Sequence, residues 1–99
     1  MRFALLLLLV GCKGEPNHVG SCQAMPTACE EYVSKDAKYI ERQRPGCTSR
    51  WSPYACPTEN RVGACVEEQK GWRRTKVYYQ PVDDKTKAEC GAYGTWVSR

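Results

Sequence analysis

Cysteine is the residue that most limits what this chain can fold into. Seven occur in 99 residues, at positions 12, 22, 29, 47, 56, 65 and 90. A domain this short buries too little apolar surface to hold together by packing alone. Its hydrophobic content of 41% counts those cysteines and an apolar run near the N-terminus, so few Leu and Ile remain to build a core. Disulfides are the expected remedy, and they belong to an oxidising compartment. An odd count leaves one thiol over. The gaps between cysteines contain no Cys-x-x-Cys, and the single histidine, His18, adds no cluster. Zinc is therefore a poor fit, and neither a metal nor another cofactor is expected.

The apolar run is Phe3 to Val10, preceded by Arg2. It has the form of the n-region and h-region of a secretory signal. Eight residues of helix would span about 12 Å against roughly 30 Å of bilayer hydrocarbon, too little for a transmembrane anchor. The run ends in Leu9-Val10-Gly11-Cys12, which resembles the lipobox of bacterial lipoproteins. That resemblance implies cleavage before Cys12, acylation of Cys12, and attachment to a membrane. It also implies the outer rather than the inner membrane, because Lys13 and not Asp follows the cysteine. Parity agrees: with Cys12 committed to lipid, Cys22, Cys29, Cys47, Cys56, Cys65 and Cys90 can form three disulfides. Residues 1–11 are then a lipoprotein signal peptide, 12–21 a lipidated Cys and flexible tether rich in Gly and Pro, and 22–99 a disulfide-stapled globular domain.

Within that domain the spacing predicts a small α+β fold with one longer helix, a β-hairpin with a third strand, and one short helix. Thr27-Ala28-Cys29-Glu30 fits a capping box, and Cys29, Val33, Ala37 and Ile40 follow at helical intervals, with a stop before Arg44-Pro45-Gly46. Cys47 to Asn60 reads as irregular, ordered by disulfides and by Trp51 and Tyr54. Strands over 61–68 and 72–79 flank a loop Gln69-Lys70-Gly71, in a register that sets Glu67 opposite Arg73 and puts Cys65, Val77 and Tyr79 on one face. Asp83 or Asp84 caps a short helix through Cys90, ended by Gly91, which makes Cys65 and Cys90 natural partners. A last strand over 94–98 lies alongside.

The stretch Ala55-Cys56-Pro57-Thr58 through Arg61-Val62-Gly63-Ala64-Cys65, then Val77-Tyr78-Tyr79, Cys90 and Gly94-Thr95-Trp96, is similar to a Cys-rich module of small Gram-negative lipoproteins. The likeness spans roughly the last 45 residues and implies a compartment and a fold, but no activity.

Little here points to catalysis. Adjacent Glu67 and Glu68 point to opposite faces of a strand, Asp83 and Asp84 sit at a helix cap, and His18 lies on the tether. The chain is expected not to be an enzyme. The net charge of +4 is too small to argue for nucleic acid. The most suggestive surface is the alternation Trp72, Arg74, Lys76, Tyr78, an aromatic and basic stripe able to bind an anionic envelope component or an acidic protein. A solvated strand face, or one covered by the first helix, would carry the same pattern. The expected function is a structural or binding role for a membrane-anchored lipoprotein at the cell envelope. The alternative is a secreted disulfide-rich inhibitor or toxin-like effector presenting the loop Thr48 to Asn60.

Overall fold

The computed structural model describes residues 17–25 and 27–98. The expected signal peptide, the lipobox-like run and Cys12 lie outside them. Six strands, β1 (His18–Met25), β2 (Ala28–Ser34), β3 (Arg50–Ser52), β4 (Gly63–Gln69), β5 (Trp72–Tyr78) and β6 (Thr95–Val97), form one antiparallel sheet in the order β3-β1-β2-β5-β4-β6. Two seven-residue helices, α1 (Ala37–Gln43) and α2 (Asp84–Cys90), and a single 3-10 turn over Arg44–Gly46 complete it.

The fold is therefore mostly antiparallel sheet, and the longer helix expected from residue 27 does not form. Cys29 and Val33 are four apart, a spacing that is helical but also even, so a strand places them on one face as well. Residues 28–34 are instead a central strand bonded on both sides, to β1 and to β5. Two ladders of backbone hydrogen bonds outweigh a weak helix preference. Ala37 and Ile40 belong to the next element. The Ser34 hydroxyl accepts from the Asp36 amide, and the Asp36 carboxylate caps α1 by accepting from Lys38 N at 2.9 Å. Asp36, not Thr27, is the helix start.

Residues 18–21, expected to belong to a flexible tether, lie instead in β1. In the β4–β5 hairpin Gln69 pairs with Trp72, so the turn is the two residues Lys70-Gly71, with Gly71 at φ +93°. One residue fewer in the loop moves the register by one and reverses which side chains share a face. Glu67 is opposite Arg74 rather than Arg73, and Cys65 is opposite Lys76, on the face away from Val77. The segment expected to be irregular contains β3. Asp83 caps α2 by accepting from Thr86 N, Gly91 ends it, and β6 lies beside β4.

Cys22 bonds to Cys47, Cys29 to Cys56 and Cys65 to Cys90, the last being the pair anticipated from strand and helix. The closures, 25 to 27 residues apart in sequence, each remove denatured-state entropy equivalent to roughly 3–4 kcal/mol in the chain-entropy account.

The two halves of the sheet repeat one arrangement. Val19-Gly20-Ser21-Cys22 on β1 corresponds to Val62-Gly63-Ala64-Cys65 leading into β4. Each cysteine bonds to another 25 residues on. Each faces a tryptophan on a three-residue edge strand, Cys22 opposite Trp51 and Cys65 opposite Trp96. Each glycine faces a tyrosine on the inner strand, Gly20 opposite Tyr32 and Gly63 opposite Tyr78. In both halves that tyrosine packs on that tryptophan, with ring centroids 6.0 and 5.6 Å apart. The registers map onto each other through an approximate two-fold axis at the β2–β5 pair Glu30 and Lys76.

The glycines make this packing feasible. A Cβ on Gly20 would lie 2.4 Å from Trp51 Cζ2, and one on Gly63 would lie 2.3 Å from Trp96 Cζ2. Each indole lies where a side chain on the neighbouring strand would otherwise stand. Around these elements lie two cores. Cys22, Tyr32 and Ile40, with Tyr39, Cys47 and Trp51, fill the space under α1. Cys29, Cys56, Ala64 and Val77, with Tyr79, fill the other face beneath the loop that follows β3.

Gly63→Ala should displace the Trp96 ring and cost about 1–3 kcal/mol of stability, the range for overpacking. Gly46→Ala, with nothing within 4 Å of the added Cβ, should cost far less. Urea unfolding of both variants checks this, and equal midpoints would contradict the packing.

Candidate functional site

Strand β5 delivers Trp72, Arg74, Lys76 and Tyr78 to one face, as alternation requires. This is the face on which α1 packs and to which Cys90 of α2 is bonded through Cys65. The neighbouring strands bring Tyr32 and Glu67 opposite Arg74, and Glu30 and Cys65 opposite Lys76.

Most of the stripe is engaged within the fold. Trp72 stacks on Tyr39 of α1, with centroids 5.4 Å apart and planes 12° apart. Arg74 Nη2 donates to Glu67 Oε1 at 2.6 Å, and the Glu67 side chain is only 14% exposed. Burial works against the Arg74 charge, but the hydrogen bond and charge of Glu67 outweigh it and hold its pKa above the ordinary arginine value. Tyr78 is tilted against Trp96, over which Lys87 Nζ sits 5.8 Å from the ring centroid. Lys76 lies 5.7 Å from the centre of the Tyr78 ring. Among the described residues it has no carboxylate within ion-pair distance.

Lys76 also borders a cavity of about 170 Å³ between β2 and the segment after α1, lined by Glu30, Tyr32, Thr48 and the Cys22–Cys47 disulfide. Tyr32 donates to Glu30 Oε1 at 2.6 Å. Burial, and then that hydrogen bond to a carboxylate, push the Tyr32 pKa far above its usual value. Burial likewise raises Tyr39. The cavity thus offers one ammonium, one carboxylate and one phenol held neutral, which can hydrogen-bond a small polar group.

The alternation in the sequence was enough to bring the four stripe residues together. Sequence reasoning missed Glu30, Tyr32 and Tyr39, all assigned to the single long helix. The signal for Tyr32 is the repeated Val-Gly-x-Cys pattern, whose second copy precedes Tyr78 in the same way. On the opposite face Glu31 accepts from the Cys56 amide at 3.0 Å, and Tyr79 donates to the Pro57 carbonyl at 2.8 Å. These bonds and Cys29–Cys56 pin the loop after β3, leaving Tyr54 74% exposed at its crest. Among the described residues no three His, Cys, Asp or Glu side chains gather as a metal site requires, and no helix is long and apolar enough to cross a membrane.

Because the folded Tyr32 pKa exceeds the unfolded one, its contribution to stability is complete below about pH 10, the ordinary tyrosine value. It is lost as pH rises from there toward the folded pKa. Tyr32→Phe should flatten this alkaline decline and remove the last phenolate step from an absorbance titration. A step that vanishes at the pH of free tyrosine would contradict the burial. No family model, curated protein or solved structure matches this chain.

Proposed function

We propose that this chain is a lipoprotein tethered through Cys12, with a structural or binding role at the cell envelope and no catalytic activity. The observation that carries it is the cysteine accounting. Six cysteines pair among themselves inside the sheet domain, and the seventh is the Cys of Leu9-Val10-Gly11-Cys12. Two or more acyl chains on one residue hold a protein on a bilayer essentially permanently. Lys13 favours the outer membrane. The internal engagement of Trp72, Arg74 and Tyr78 argues that this stripe serves first to join helices to sheet, with Lys76 and its cavity the part open to a partner.

The second reading, a secreted inhibitor or effector, is favoured by the disulfide-pinned loop that exposes Tyr54. A rigid loop with an exposed aromatic is a preorganised anchor for a protein surface.

In a bacterial host that lipidates proteins, the wild-type chain should fractionate with membranes, and Cys12→Ala should strand as precursor or be released. A non-reducing intact mass of residues 12–99 plus acyl groups, less six hydrogens, is expected. Soluble unacylated protein in the medium would overturn the anchor and favour the effector reading.

A further inference from the structure

We propose that the end of the sheet where β1 begins faces the bilayer, with Lys35, Lys70 and Arg73 against anionic lipid headgroups. The proposal rests on the Cys12 anchor and adds an orientation and a ligand class to it.

Reach decides which end can approach. Four residues separate Cys12 from Asn17, a span of at most about 18 Å when fully extended. A seven-residue strand is about 24 Å long. With Cys12 in the bilayer, the far end of the sheet cannot be turned down onto the membrane, because Asn17 would then stand above the tether's reach.

Charge selects the near end over a sideways arrangement. The registers align His18, Ser34, Trp72 and Gln69 in one row at this end. The Lys70-Gly71 turn lies beyond that row and is clipped to β2 by the Ser34 hydroxyl, which donates to the Gly71 carbonyl at 2.7 Å. Lys35, Lys38, Lys70 and Arg73 are exposed here. Their acidic neighbours are Asp36, whose carboxylate caps α1, and Glu68, 3.9 Å from Arg73. Elsewhere among the described residues acidic and basic side chains cancel in number, so the net positive charge of the described domain is concentrated at this end. Basic residues held close to a bilayer are attracted by anionic headgroups. Between Lys35 and Arg73 the surface opens into a depression of about 330 Å³, also lined by Trp72 and Asn17, directly where the tether leaves. Tyr93, half exposed, shares a second depression with Glu68 and Gln69 on the same flank, the kind of aromatic that settles at a membrane interface.

The test uses the full chain made in a lipidating host, with acylation verified by intact mass, in vesicles of phosphatidylethanolamine and phosphatidylglycerol. Amine-reactive footprinting compares Lys35 and Lys70 with Lys85, which lies in the first turn of α2 beyond the other end of β5. On transfer from detergent to vesicles, labelling of Lys35 and Lys70 should slow several-fold while Lys85 is unchanged. Replacing phosphatidylglycerol with phosphatidylcholine should weaken that protection. Acylated protein in which all three lysines label alike overturns the orientation and leaves the anchor standing. Protection indifferent to lipid charge overturns the attraction to anionic headgroups. A mass without acyl groups overturns the anchor reading and the orientation with it.

Discussion

The antiparallel pairing of β2 with β5 is the joint on which the molecule depends. Each half is a three-stranded piece with one short strand outside and one full-length edge inside. A long unpaired edge is a template for association with other chains. Here the two vulnerable edges satisfy each other over seven residue pairs, and the strands at the rim, β3 and β6, are only three residues long. The same pairing creates the face on which Tyr32 lies opposite Arg74 and Glu30 opposite Lys76, so the candidate site is a product of the joint and not of either half.

Packing against the sheet is equally economical. A tryptophan carries more apolar surface than any other side chain a poor core could recruit. Two of the three lie over glycines, and the third is sandwiched with Tyr39, so aromatic area replaces the missing Leu and Ile. The disulfide beside each edge tryptophan ties a helical segment over that region. Core, staple and helix position are thus set together, which is why a methyl group on Gly63 is expected to matter.

The C-terminal half of the domain is legible in the sequence because its signals are local. Alternation marks β5, Gly71 marks a turn, Asp83 and Gly91 bracket α2, and Cys65 lies near Cys90 as a result. The register is not legible, since it depends on whether the loop holds two residues or three. The N-terminal half misleads for a physical reason. Cys29 and Val33 satisfy both periods, Thr27 and Glu30 imitate a cap, and only long-range pairing with β1 and β5 decides for a strand. The correspondence of Val19-Gly20-Ser21-Cys22 with Val62-Gly63-Ala64-Cys65 was visible and would have transferred the hairpin from one half to the other. The proposed anchor at Cys12 is a matter of motif, on which the sheet is silent.

The disulfide connectivity has a consequence for how the chain reaches this state. Cys22–Cys47 and Cys29–Cys56 are interleaved along the sequence, whereas Cys65–Cys90 stands apart. In the proposed export to an oxidising space the N-terminus emerges first, and Cys22 and Cys29 are available to each other before either native partner exists. Joining them would block both crossed bonds. A chain that joins them needs thiol exchange to sort its pairs, on the slow timescale of disulfide reshuffling, whereas the bond of the second half crosses no other.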